Sequence, residues 1–166
     1  MMVSEQDEVD RIVGAWGSER PDLDFSPMAV LSRVDRLAHH LERARREAFR
    51  RTDIEPWEWD VLSALRRAGD PYRLSPKQLL QQTLVSSGTM TNRIDRLVGR
   101  RFVRREADPG DGRSVLVTLT EDGQMRVDAA ITRLVDVEAE LLQVLSRADR
   151  DRMASLLRKL SLSYDS

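Results

Sequence analysis

The run Asp108-Pro109-Gly110-Asp111-Gly112 sets turn-forming residues side by side without a break. So many consecutive turn formers do not fit inside a helix or a central strand, so they mark a reversal of direction. Before them stand Phe102 and Val103 among arginines, and after them the β-branched segment Ser114 to Leu119. Two strands around a Gly/Asp loop predict a β-hairpin. Immediately upstream lie two short helical patterns. One opens at Ser75-Pro76 and runs to about Gln82, and the other runs from about Ser87 to Arg100. Helices joined by so few residues predict a helix-turn-helix.

The flanking segments are helical too. Val9, Ile12, Val13 and Trp16 share one face of a short helix over 4–16, with Ser4 and Asp7 as a weak cap signal and Gly17 as its end. A polar connector leads to Ser26-Pro27, which opens a long helix over 26–50. In it Val30, Val34, Leu37, Leu41, Ala44 and Ala48 form a narrow seam of the kind one helix offers another. Pro56 starts a helix over 56–67, which Gly69-Asp70-Pro71 breaks. After the hairpin, Thr120 caps a helix over 121–145. Asp149 opens a last one, with Met153, Leu156, Leu157 and Leu160 on one face.

The expected fold is mainly α with a small β-hairpin wing (α+β), a winged helix-turn-helix between terminal dimerisation helices. Residues 1–25 form an N-terminal extension helix and connector, and 26–166 a single domain. The winged helix-turn-helix covers about 56–119, and the dimerisation helices about 26–50 and 121–163.

Composition excludes several function classes. The chain has 166 residues with 33% charged, no cysteine, and a net charge of -1. Bulk charge therefore cannot coat nucleic acid, although a local basic patch can. Without cysteine there is no disulfide, thiol nucleophile or cysteine-rich metal site. The two histidines, His39 and His40, are adjacent, so no His-based triad or HExxH helix can be written. No nucleophile–base pair, metal cluster or phosphate loop is visible, so neither an enzyme nor a cofactor or metal is expected. No signal peptide and no membrane-spanning run is visible, which predicts a cytoplasmic protein.

The helix over 87–100 turns Met90, Ile94, Leu97 and Val98 inward and leaves Thr89, Thr91, Asn92 and Arg96 outside. Short polar side chains and an arginine suit base edges and phosphates. Ser75, Ser86 and Ser87 at the two helix starts join them as candidate DNA contacts. From Arg93 to Arg113 seven arginines face four acids, a local charge of +3 in a chain that is -1.

DPGDGRSVLVTLTEDG resembles the wing of the MarR family of bacterial transcriptional regulators, on Asp108, Asp111, Arg113, Leu119, Thr120 and Gly123. SSGTMTNRIDRL is similar to the family's recognition helix, and the resemblance runs from about residue 28 to 162. One departure stands out: the family usually has Gly before the first wing strand, where this chain has Arg101. With Gly99 two residues earlier, a shifted helix cap is expected. The resemblance implies a homodimer that reads a palindromic operator in double-stranded DNA, with Arg113 entering the minor groove. Arg113 could equally pair with Asp111 to stabilise the turn.

Arg93 and Asp60 fall on inward helix edges, where an unpaired charge is costly, so an Asp60–Arg93 pair is expected. That pair could be purely structural. The stretch from Trp59 to Leu97 also resembles the branch of the family that includes PecS and the urate-responsive regulators, which carry an added N-terminal helix. The resemblance implies a small anionic ligand such as urate, held by Trp16, Asp60, Arg93 and Arg105. Trp16 could instead be a packing aromatic. His39 and His40 are either solvated surface groups or a pH-sensitive pair. The function expected is thus a ligand-responsive repressor. The alternatives are a winged helix used for protein–protein contacts, or a regulator of this type with a different ligand.

Overall fold

In a computed structural model, residues 6–83 and 85–164 are described, apart from the side chains of Gly112 and Arg113. The elements run α1 (Glu8–Glu19), α2 (Ser26–Arg50), α3 (Pro56–Arg67), β1 (Arg73–Leu74), α4 (Pro76–Gln82), α5 (Ser87–Gly99), β2 (Val103–Asp108), β3 (Asp111–Leu119), α6 (Glu121–Leu141) and α7 (Arg147–Ser161). No described helix is long and apolar enough to cross a membrane.

Met1–Ala44 and Arg45–Ser166 form two compact units. In the first, α1 is held to α2 by Arg33, whose Nε and Nη2 donate to Asp7 at 2.8 and 3.0 Å. Arg33 Nη2 also reaches Asp10 at 2.7 Å. The cap of α1 is Asp7 in a reciprocal box with Asp10, rather than the expected Ser4, which lies outside the described residues. The expected stop at Gly17 is also overturned, since the helix continues to Glu19. Trp16 stacks on Phe25 with ring centroids 6.1 Å apart.

The second unit is built around one core. Leu62 and Leu65 of α3, Leu79 of α4, Met90, Ile94 and Leu97 of α5, Val117 of β3 and Val127 of α6 are all buried. Each such side chain contributes about 1.5–3 kcal/mol when fully removed from water. Val98, expected in this core, is 36% exposed, because it lies one residue past Leu97 and rotates off the inward face. Arg66 Nε bonds Asp128 at 2.8 Å and ties α3 to α6.

The sheet has three strands in the order β1-β3-β2, one more than the hairpin expected from sequence. Arg73 and Leu74 pair with Thr118 and Val117. The strand is so short that it leaves no alternation to detect. The hairpin register runs from Val103↔Leu119 to Ala107↔Val115, with an irregularity at Asp108. Pro109 and Gly110 make the turn, and the Asp108 carboxylate accepts from the Gly110 N–H at 2.9 Å.

The junction from α5 to the wing explains the departure at Arg101. The Arg101 N–H donates to Val98 O at 2.9 Å and the Phe102 N–H to Leu97 O at 3.0 Å. These paired bonds close a helix through a left-handed residue. That residue is Arg101 itself, at φ 61°, so the cap is not shifted to Gly99 as expected.

Gly123 settles the other end of the wing. A Cβ there would stand 2.1 Å from Phe102 O. The same oxygen accepts from Thr120 N and Thr120 Oγ1, each at 3.0 Å. The Thr–x–x–Gly spacing is therefore the docking of α6 onto the root of β2. Helix α6 stops at Leu141, earlier than the expected 145, and α7 is capped by Ser146 rather than opened by Asp149. Asp149 is instead the residue whose N–H the Ser146 hydroxyl accepts, at 3.2 Å.

Candidate nucleic-acid interface

Helix α5 buries Met90, Ile94 and Leu97 and turns Ser87, Thr89, Thr91, Asn92 and Arg96 to solvent. Its start is held by Ser86, whose Oγ accepts from Thr89 N at 3.3 Å and lies 2.9 Å from Thr89 Oγ1. Thr91 Oγ1 donates back to Ser87 O at 3.1 Å. At the start of α4, Ser75 and Gln78 form a reciprocal box, with bonds of 3.2 and 2.8 Å. The Ser75 and Ser86 hydroxyls therefore act first as helix caps, satisfying free N–H groups at the starts of α4 and α5.

Three arginines along α5 and its cap have different environments. Arg100 reaches Glu58 at 2.6 Å and Asp53 at 2.7 Å. Glu58 is only 1% exposed and also accepts from Glu55 N at 2.9 Å, so its charge is compensated from two sides. This pair was not legible in the sequence, where Glu58 reads as a first-turn surface acid of α3. Arg93 bonds Asp60 at 3.2 Å, linking α5 to α3 as expected. The Arg93 side chain is 18% exposed but that of Asp60 is 48%. Asp60 thus lies at the rim and not inside, so the pair is weaker than a buried one. Arg96 makes no ion pair among the described residues, and its Cζ sits 4.4 Å from the Trp57 ring centroid.

Arg105 does not join Asp60 and Arg93. It pairs with Asp95 at 2.6 Å. Asp95 is two residues beyond Arg93, on nearly the opposite side of the helix. Trp16 belongs to the first unit, where its described contact is Phe25. The side chain of Arg113 lies outside the described residues, although its backbone is part of β3.

At the wing, Glu106 accepts from the buried Thr118 hydroxyl at 2.7 Å and from Arg104 at 2.6 Å. The Thr118 hydroxyl first, and the Arg104 guanidinium second, hold its carboxyl below the usual carboxylate range.

Residues 52–114 match the sequence profile of the MarR family, the segment that holds the helix-turn-helix and most of the wing. The chain is 35% identical over 150 residues to the HTH-type transcriptional regulator PecS of Dickeya dadantii, covering 90% of each chain. A cysteine-to-serine mutant of E. coli MarR, solved with operator DNA, is 28% identical with a TM-score of 0.68, covering 82% of this chain and 96% of that one. BpsR of Bordetella bronchiseptica, whose DNA binding is regulated by 6-hydroxynicotinic acid, is 29% identical with a TM-score of 0.60, covering 77% and 92%. With an exposed polar helix face, a hairpin wing and a relative this similar over nearly its whole length, the chain belongs to the MarR family of DNA-binding transcriptional regulators, and is not an enzyme.

Proposed function

We propose that this regulator is a homodimeric repressor of a palindromic operator, released by urate or a similar small anionic aromatic ligand. The Asp60–Arg93 pair carries the reading, because it ties the DNA-reading helix to α3 through a cation only partly exposed. An anion that captures Arg93 competes with Asp60, and Arg93 cannot change partner without biasing α5. Similarity to BpsR, whose DNA binding is regulated by 6-hydroxynicotinic acid, supports this ligand class. Thr89, Thr91, Asn92 and Arg96 would read the major groove. Ser75, Ser86 and Ser87 would stand at the backbone, and Arg113 would enter the minor groove.

The dimer reading rests on apolar surface. Helix α7 has no buried residue, and Leu156, Leu157 and Leu160 are exposed on it. Along α2, Val30, Val34 and Leu37 are likewise exposed. A second copy covering these faces would remove them from water.

The test is a gel shift on the DNA beside the gene, with urate and 6-hydroxynicotinate titrated into the preformed complex. Release by urate at sub-millimolar concentration supports the full reading. Release by 6-hydroxynicotinate alone overturns urate and keeps the site, whereas no release by either overturns the sensor.

A further inference from the structure

We propose that Trp57 is a positioning residue for DNA recognition, holding Arg96 in one orientation on the reading helix so that its guanidinium edge meets the operator already aligned. The inference rests on the reading of α5 as the groove-contacting helix.

The observation is a contrast among neighbouring cations. Arg93 and Arg100 both spend their charge on carboxylates, Asp60 in one case and Glu58 with Asp53 in the other. Arg96 is held by a ring instead, 4.4 Å from the Trp57 centroid. The two kinds of restraint differ in what they leave available. A carboxylate occupies the donors of a guanidinium and cancels its charge. An aromatic face fixes the plane of the guanidinium while its N–H edge stays open and its charge uncompensated. Arg96 is therefore both oriented and unspent.

The ring is fixed in its turn. Trp57 lies in the first turn of α3 and packs, partly buried, against the core. Arg93 approaches the same ring at 6.0 Å, so two arginines from consecutive turns of α5 lie near the indole, with Arg96 the closer. A free surface arginine samples many rotamers and loses that freedom on binding. One already stacked loses less, which favours the complex without adding a contact.

The acceptor is either a guanine edge, with its O6 and N7, or a phosphate oxygen. Both take a guanidinium through the same donors. The test separates these sources. The preferred site is first defined by selection from a randomised duplex library using the full chain. Operator affinity is then measured for wild type, Trp57→Leu, Trp57→Tyr, Arg96→Ala and the Trp57→Leu/Arg96→Ala double variant, with thermal melts to confirm folding.

Trp57→Leu is expected to weaken binding about two- to five-fold, the scale of one exposed cation–π contact. Trp57→Tyr should restore most of it. The Leu change should have no further effect once Arg96 is Ala. A guanine contact appears as lost preference at one position of each half-site in Arg96→Ala. A phosphate contact appears as uniform weakening with a salt slope reduced by about one. Either supports the proposal.

An equal loss from Trp57→Leu with and without Arg96 reduces Trp57 to packing and overturns it. So does an Arg96→Ala variant that binds like wild type. Failure of wild type to select any site overturns the DNA reading of α5 itself. If Trp57→Leu does not fold, the proton shift of Arg96 Nε–H decides the matter. An upfield ring-current shift in wild type supports the stack, and its absence overturns it.

Discussion

Replacing Gly123 with Ala puts one methyl group where there is no room for it, and should cost several times an ordinary surface change. The new Cβ would stand 2.1 Å from Phe102 O and 2.9 Å from both Phe102 C and Leu119 Cδ1. Leu119 can turn, but Phe102 O is backbone and is fixed by Thr120 N and Thr120 Oγ1. To make room, α6 must back away from the root of β2 and stretch those bonds. Overpacking of this kind costs about 1–3 kcal/mol, and a weakened hydrogen bond adds about 1 kcal/mol. The expected loss is about 2–4 kcal/mol out of a total near 5–15 kcal/mol. For a chain of this size that lowers Tm by roughly 5–15 °C. Urea unfolding monitored by circular dichroism, with an unchanged slope and a lower midpoint, is the assay. Gly14→Ala is the internal control. A Cβ at Gly14 meets nothing within 4 Å, and the residue is inside α1. There the same methyl should stabilise the helix by about 0.8–1 kcal/mol. If Gly123→Ala lies within about 0.5 kcal/mol of wild type, on the scale of an ordinary surface change, the crowding argument is wrong.

Arg101→Gly should raise stability by about 0.5–1 kcal/mol, since a left-handed non-glycine residue costs about 1–2 kcal/mol and glycine returns part of that as chain entropy; a lower midpoint in the same urea assay would refute this. Asp60→Ala should cost about 0.5–1.5 kcal/mol and not the roughly 3–5 kcal/mol of a fully buried pair, because the acid is half exposed; a loss above about 3 kcal/mol would mean that Arg93 is isolated from water. Arg93→Ala should abolish release by the anionic inducer, read by titrating urate and 6-hydroxynicotinate into the preformed DNA complex. Arg113→Ala should weaken operator binding several-fold with an unchanged melt. Glu106 has a depressed carboxyl, so its contribution is present above the ordinary carboxylate range and is lost as pH falls through and below it. Thr118→Val should shrink that acid-side loss in a pH series of melts.

The helix-turn-helix and the wing were legible because their signals are local. Ser-Pro pairs start helices, Asp-Pro-Gly turns strands, and Met90, Ile94 and Leu97 recur at helical spacing. The Asp60–Arg93 pair was legible for a related reason, since both residues fall at the edge of an apolar stripe. What escaped depends on approach between distant segments. Glu58 looks like any first-turn acid until Arg100, far along the chain, is brought over it. Arg105 carries the residue type that the resemblance asked for, yet Asp95 claims it across the α5–β2 turn. Residue type is written in one dimension, whereas a shared partner is decided in three. The left-handed Arg101 was misread because glycine signals a cap only when nothing else is forced to serve.

The two-residue strand β1 makes the wing a tapered beam. At its root, Val117 and Thr118 are laced to β1 on one edge and to β2 on the other. From Val115 outward only the β2 edge is stitched, and past Ala107 even that register breaks. Bending resistance therefore falls from base to tip. The clamped base keeps its bearing relative to α5, and the outer end is freer to bend; if the wing meets a groove as proposed, that end would follow differences in groove width. Amide exchange should be slowest at Leu119, whose N–H donates to Tyr72 O at 3.0 Å, and should quicken steadily toward the turn.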